Sequence, residues 1–389
     1  MRLESVVDPD RFRRLRPEWN ELLAASDADT IFLTWEWLFT WWTLLGGRRR
    51  LAILALWSGR DLMGLLPLSL RPPQPGRLQF TWRREFLGSG SVGSDYLDLI
   101  VRRGEEERAI HTLVEALGRG RVTLDLGPVR TEVAQVGHLA TALQEHGWTV
   151  EPRGAPASPY IPLRGESWET FVEALGPAHR ANLRRRLRGL SRAGEVRFEE
   201  ATDEAARRLF LKHLIDLHLK RRGSLDGSEA FDHPDLVAFH ERFSALALER
   251  GWLRLFLLTL DQRPVAAFYG FRYRDVFSFY QSGFDPDCGR MSVGLVAMGL
   301  TIRQAIEEGA AEFDFLHGEE TYKSLWTPHR RALQRLQLSP PIPAGSLVRR
   351  LDEAGRGARR LARALLPHGL ATRLARGFAV ASERRSDDS

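Results

Sequence analysis

Cysteine is almost absent: Cys288 stands alone in 389 residues. An intrachain disulfide and a zinc site built from several thiolates are both excluded, and the chain suits a reducing, cytoplasmic compartment. Lysine is nearly as scarce, with Lys212, Lys220 and Lys323 set against 53 arginines. Unless chance placed them, these three positions suit a compact ammonium better than a guanidinium fork. The formal charge of +6 is a small excess over 50 interspersed acids, so charge gives no ground for nucleic acid as a partner. No hydrophobic run has the full length of a bilayer crossing. The nearest, Ile31 to Gly47, carries Glu36 near its middle and is expected to be a buried aromatic helix or loop. The opening residues have no apolar stretch behind their charges, which argues against a secretory signal.

What the chain does have is core material: 43% hydrophobic residues, with 20 Phe and 11 Trp. At roughly 150 residues per domain, the length predicts two domains and an appendage. The first part reads as mixed α/β. Asp8 and Asp10 precede an amphipathic helix running to Leu23, and Leu51 to Trp57 with Leu62 to Leu70 form a hairpin around Ser58-Gly59-Arg60-Asp61. A strand is expected at Tyr96 to Val101, a helix at Glu105 to Leu117, a strand at Val122 to Leu126 and a helix at Glu132 to His146. The Pro-, Gly- and Ser-rich passage Glu151 to Gly165 predicts a domain boundary.

Beyond it, helices are predicted at Trp168 to Leu175 and Pro177 to Arg192, a strand at Glu195 to Glu199, and helices at Asp203 to Arg221 and Pro234 to Glu249. Strands at Trp252 to Leu260, Val265 to Tyr273 and Val276 to Ser282 follow, then a helix at Gly294 to Glu308 and a strand at Glu312 to Leu316. Asp125 in LDLGPV and Asp314 in FDFLHG each end a helix-then-strand passage, which points to a duplicated α/β unit. The expected division is 1–160, 161–342 and a basic tail, 343–389. From Ser346 to Arg385 that tail has ten arginines against three acids. It reads either as a solvated helical pair packed on the body or as an amphipathic contact to a membrane surface or an acidic partner.

Two passages carry chemistry. Gln281 to Gly294, QSGFDPDCGRMSVG, lies between a strand and a helix, and a glycine-containing loop opening a helix offers unpaired N–H groups and a positive dipole end to a pyrophosphate. Arg290 adds charge. As a bare pattern it also fits an ordinary strand-to-helix turn. Phe313 to Trp326, FDFLHGEETYKSLW, crowds Asp314, His317, Glu319, Glu320, Tyr322 and Lys323 at a strand end, where ligands bind in α/β proteins.

The stretch SVGLVAMGLTIRQAIEEGAAEFDFLHGEETYKSLW resembles the signature of GNAT-superfamily acyltransferases of the CelD/BcsL type, relatives of the Fem peptidyltransferases, in which a similar helix precedes FDFLRGDExYK. LTWEWLFTWWTLLG, SDYLDLIV, HRANLRRRLRGL and LHLKRRG look like further landmarks, so the resemblance covers Thr30 to Gln337. It implies tandem GNAT-like domains, with acetyl-CoA or another acyl-CoA as cosubstrate, no metal, and a small amine, hydroxyl or glycan-precursor acceptor. It implies a main-chain donor to the thioester carbonyl around Ser282, Gly283 and Phe284, and a pyrophosphate cradle of Arg290, Met291, Ser292, Val293 and Gly294. Tyr322 would protonate the thiolate. Asp314, His317 or Glu319 would serve the acceptor as base or orienting group, and His218, Arg222, Tyr280 and Lys323 would line the acceptor cleft. The sequence departs from the pattern with SVG for Ser-Pro-Gly and with His317 for Arg. Two rival readings are aminoacyl transfer from tRNA, which usually brings a coiled-coil insertion absent here, and a silent scaffold using the basic tail.

Overall fold

The computed structural model describes residues 1–74, 81–90, 92–118, 122–222, 231–318 and 320–341. Glu319 and the tail 343–389 lie outside the described residues. The first half runs β1 (Arg2–Val6), α1 (Pro9–Arg14), α2 (Arg16–Ala24), α3 (Trp35–Leu45), β2 (Arg50–Leu51), β3 (Ile53–Ser58), β4 (Asp61–Leu66), β5 (Leu68–Arg71), β6 (Arg83–Phe86), β7 (Ile100–Val101), α4 (Glu106–Gly118), β8 (Thr123–Arg130), α5 (Gln135–Glu145) and β9 (Thr149–Pro162). The second half runs α6 (Trp168–Ala174), α7 (Pro177–Ala193), β10 (Val196–Glu200), α8 (Glu204–Arg222), α9 (Pro234–Glu249), β11 (Leu253–Leu260), β12 (Arg263–Tyr273), β13 (Val276–Phe284), α10 (Val293–Glu307), β14 (Glu312–Asp314) and β15 (Arg330–Ser339).

Local chemistry sets many of these limits. Asp8 accepts from the Asp10 and Arg11 amides ahead of Pro9, capping α1. Thr34 accepts from Trp37 N at the start of α3. The aromatic run is buried inside the protein from Ile31 to Trp41, and its Glu36 is fully covered. Burial works against that charge, but Asn20 at 2.9 Å and Arg250 hold the carboxyl below its usual range. Arg250 ends α9, so this pairing fastens the second half to the first. Among the described residues, no helix is long and apolar enough to cross a membrane.

Strands form a four-stranded sheet, β1-β3-β4-β7, and an eleven-stranded sheet, β10-β11-β12-β13-β14-β9-β15-β8-β6-β5-β2. The predicted hairpin exists but bends at Ala52 and Pro67, so that β3–β4 lies in the small sheet and β2–β5 in the large one. The architecture is mixed α/β and internally repeated. In each half a strand, helices and a hairpin lead to a parallel strand–helix–strand crossover, β6–α4–β8 and β13–α10–β14. Asp125 faces Glu85 and Asp314 faces Ser278, each at the third pair of its crossover. The aspartates singled out in the sequence occupy matching places.

The halves are also interlaced. β15, from the end of the second half, inserts between β8 and β9 of the first, and β9 continues across to pair with β14. The expected linker Glu151 to Gly165 is therefore mostly strand, and the division after residue 160 falls inside β9. Proline density misled the reading, because proline lacks a ladder donor. Pro156 escapes that penalty by sitting at the register break between the pairs Arg331↔Ser158 and Leu333↔Ala155. The strand expected over Tyr96 to Val101 shrinks to Ile100–Val101. Tyr96 takes a left-handed φ of 56°, and Asp98 turns away to accept from Gln135 N and Val136 N at the start of α5, at 2.9 and 2.8 Å.

Candidate active site

β13 and β14 run parallel for three pairs, ending at Ser278↔Asp314. They then part. The chain after β14 follows β9, with Phe315 N donating to Pro159 O at 3.0 Å and Gly318 N to Ala157 O at 3.3 Å. β13 instead stays with β12 as far as Ala266↔Phe284. A wedge opens, and residues Phe279 to Phe284 keep one edge unpaired by β14. Tyr280 is the extra residue of a bulge between the pairs Gly270↔Phe279 and Tyr269↔Gln281. Gly270 permits it: a Cβ there would stand 2.2 Å from Ser278 O. Gly270→Ala is expected to destabilise the protein by about 1–3 kcal/mol, read as a lowered midpoint in urea.

At the wide end of the wedge lies the predicted phosphate loop. Pro286–Met291 is a 3-10 turn, Ser292 takes a left-handed conformation (φ 55°), and α10 starts with no side chain capping its amides. The first-turn N–H groups of Val293 and Gly294 are thus open to an anion. Gly294 packs closely on Phe284, where a Cβ would come within 3.0 Å of the ring. Arg290 is exposed, and its carbonyl accepts from Arg186 of α7. The acids beside the loop are neutralised: Lys220 reaches Asp285 at 2.5 Å and Asp287 at 2.6 Å, and Arg263 also binds Asp285. Ser282, Gly283 and Phe284 lie on the unpaired stretch. Gly283 presses against α8, with a Cβ position 2.6 Å from His218 N.

Across the wedge, His317 meets a residue of the first half that the sequence reading did not single out. Asp95 is fully buried and accepts from both His317 N and His317 Nδ1, each at 2.7 Å. With Asp95 as acceptor, Nδ1 carries the hydrogen and Nε2 is left as the basic nitrogen. The His317 side chain remains 46% exposed. Asp95 raises the imidazole pKa by its hydrogen bond and its charge, against desolvation. Asp95 lies within SDYLDLIV, so a landmark marked the passage, but 222 positions separate the partners.

Other predicted residues are placed differently. Asp314 is fully buried, accepting from Tyr96 OH at 2.7 Å, Leu316 N at 2.7 Å and Arg331 at 3.2 Å. Burial pushes it up to about 6 despite Arg331. Both of its oxygens are engaged, and through Tyr96 and Arg331 they tie the halves together. Lys323 is buried and closes the turn through His317 O at 3.0 Å and Glu320 at 2.9 Å. Its ammonium is thus engaged within its own turn. Tyr280 points to the first half, donating to Val92 O. His218 is buried, with Nδ1 3.1 Å from Ser282 O, and braces β13 from behind. Arg222 closes α8, and its side chain, like Glu319, lies outside the described residues.

Tyr322 is half-buried just after this turn. Burial and the Glu320 charge push its phenol well up, and Arg221 opposes them. Arg221 itself stacks over Phe284, 4.9 Å from the ring centre, which links the tyrosine's surroundings to the open end of β13. A phenol held neutral is a proton donor.

Residues 177–324, from α7 to this turn, match the family model described as acetyltransferase (GNAT) domain. No curated protein matches the chain. Among solved structures, FemX is similar with a TM-score of 0.60 and 11% identity, over 89% of this chain and 99% of that one. L-PGS from Bacillus licheniformis is similar with a TM-score of 0.50 and 13% identity, over 89% of this chain and 97% of that one. At such identities the likeness is one of fold. The second half of this chain therefore carries a GNAT acetyltransferase-type domain, inside an overall fold shared with FemX.

Proposed function

We propose that the protein is an acyl-CoA-dependent acyltransferase of the CelD/BcsL type, acting on an amine or hydroxyl of a small or glycan-precursor acceptor. The observation that carries this reading is the Asp95–His317 pair at the mouth of the wedge between β13 and β14. The residues present fit a CoA ester: an open strand edge for the pantetheine amides, and uncapped α10 amides for the pyrophosphate. Bound acyl-CoA would supply an activated thioester. His317 Nε2 takes the acceptor's proton as the acceptor attacks, and Asp95 steadies the imidazolium. A main-chain N–H on the open edge of β13 offsets charge on the carbonyl oxygen. Tyr322 protonates the departing thiolate and regains its proton from solvent.

Tyr322→Phe is expected to lower turnover by about a hundred-fold or more with CoA affinity nearly unchanged; unchanged turnover dismisses the assignment. A second reading, transfer from aminoacyl-tRNA, draws on the FemX-like fold. Against it stands the absence, among the described residues, of a long coiled-coil arm, since the longest helix, α8, has 19 residues. Calorimetric titration with acetyl-CoA and with RNA separates them. Binding of CoA without RNA supports the first reading, RNA alone the second, and neither ligand overturns both.

A further inference from the structure

A cavity lies at the bend of the first hairpin. Where β2–β5 leaves the small sheet for the large one, a space of about 510 Å3 opens, within the size range of small-molecule sites. Its apolar walls include Trp42, Leu51, Leu54 and Leu70, and Arg50 and Arg84 line it as well. Register explains how both arginines reach it. Arg50 faces Leu70 and Leu70 faces Arg84, so the three form one row across β2, β5 and β6 on a single face.

The two faces of these strands handle charge differently. Among the described residues, the neighbouring arginines outside that row have carboxylates: Arg71 meets Glu85 at 2.8 Å, Arg49 meets Glu85 at 3.8 Å, and Arg83 meets Asp125 at 3.8 Å. In the cavity row, Arg84 is half-buried and, among the described residues, has neither a hydrogen-bond acceptor nor an ion pair. Desolvation alone acts on it, lowering its pKa. Arg50 stacks over Trp82 at 5.3 Å, a contact that leaves its charge unneutralised. Among the described residues, no carboxylate lines the cavity. A partly desolvated cation without a counter-charge is unfavourable until an anion meets it.

We propose that this cavity binds an amphiphilic anion, a carboxylate or phosphate head on an aliphatic body. Arg84 and Arg50 grip the head, and Trp42, Leu51, Leu54 and Leu70 cover the body. The site is separate from the acyl-transfer wedge. β2 ends the large sheet seven strands from β13, roughly 30 Å at about 4.8 Å per strand.

Calorimetric titration of the full chain with decanoate and with decyl phosphate tests the proposal, with decanol as the neutral control. Both anions are expected to bind, and decanol at least about ten-fold more weakly. Arg84→Gln is expected to weaken the anions by about ten-fold or more, equivalent to roughly 1.4 kcal/mol. Arg50→Gln, at an exposed edge position, gives the same direction of change and serves if Arg84→Gln does not fold. Flotation with phosphatidylglycerol against phosphatidylcholine vesicles assigns the source. Arg84-dependent flotation points to a membrane lipid, and soluble binding without flotation points to a free amphiphile. No heat from either anion, or equal affinity in wild type and in the folded arginine variants, overturns the proposal.

Discussion

Replacing His317 with Ala is expected to lower kcat by about a hundred- to ten-thousand-fold, the usual contribution of a general base, with acyl-CoA affinity preserved. In the proposed reaction His317 serves the acceptor, while the α10 amides hold the nucleotide. Asp95→Asn tests how the base is set. In the native protein Asp95 raises the His317 pKa, and the proposed base acts in its deprotonated form. kcat/KM should therefore climb with pH along a limb above the ordinary histidine range. With Asn at 95 the proton is held less tightly, so the limb moves to lower pH while the plateau falls. A loss of turnover with the limb unmoved would mean that Asp95 only holds the loop in place, through its bond to His317 N.

The second large effect concerns stability. Arg331 binds Glu312 at 2.9 Å and Asp314 at 3.2 Å, and stacks on Tyr160 and Tyr96. Arg331→Met leaves two neighbouring carboxylates without their cation, one fully buried, and should cost about 3 kcal/mol. The deficit should depend on pH in a defined direction. Burial raises the folded pKa of Asp314 to about 6, from an ordinary carboxyl value of 3.8. The native state thus holds a proton that the unfolded chain has released, and this group's contribution to stability declines as pH rises through that window. Without Arg331 the folded pKa climbs further and the window extends upward. Urea unfolding should show a larger deficit at about pH 8 than at about pH 5. Equal deficits at both would exclude Asp314 as the group left stranded.

How much of this was legible depended on the range of the interactions involved. Pro234–Glu249 was read to the residue, because proline at the helix start and an apolar stripe are local signals. The hairpin, α7, α8 and α10 followed from periodicity in the same way. β9 and β15 escaped. β9 is proline-rich, and β15 begins with two arginines at its exposed end, although Leu336 and Leu338 alternate towards the core. Each strand depends on a partner far along the chain. The site shows the same division. The loop before α10 and the FDFLHG strand carried local marks, so both could be singled out before their position beside the wedge was known. The pairing of Asp95 with His317 could not, nor could the diversion of Lys323 to its own turn or of Asp314 to Arg331. Those outcomes follow from how the halves interlock.

The interlocking also bears on synthesis. The first half closes its sheet with β15, whose residues leave the ribosome after nearly everything else described here. At about 5–20 residues per second, the wait between the end of β9 and the start of β15 is on the order of 10–30 s. Through that interval the nascent β8 and β9 must stand apart with unpaired ladder groups. A cell making this protein faces an aggregation hazard that an ordinary two-domain chain, folding its leading domain early, would avoid.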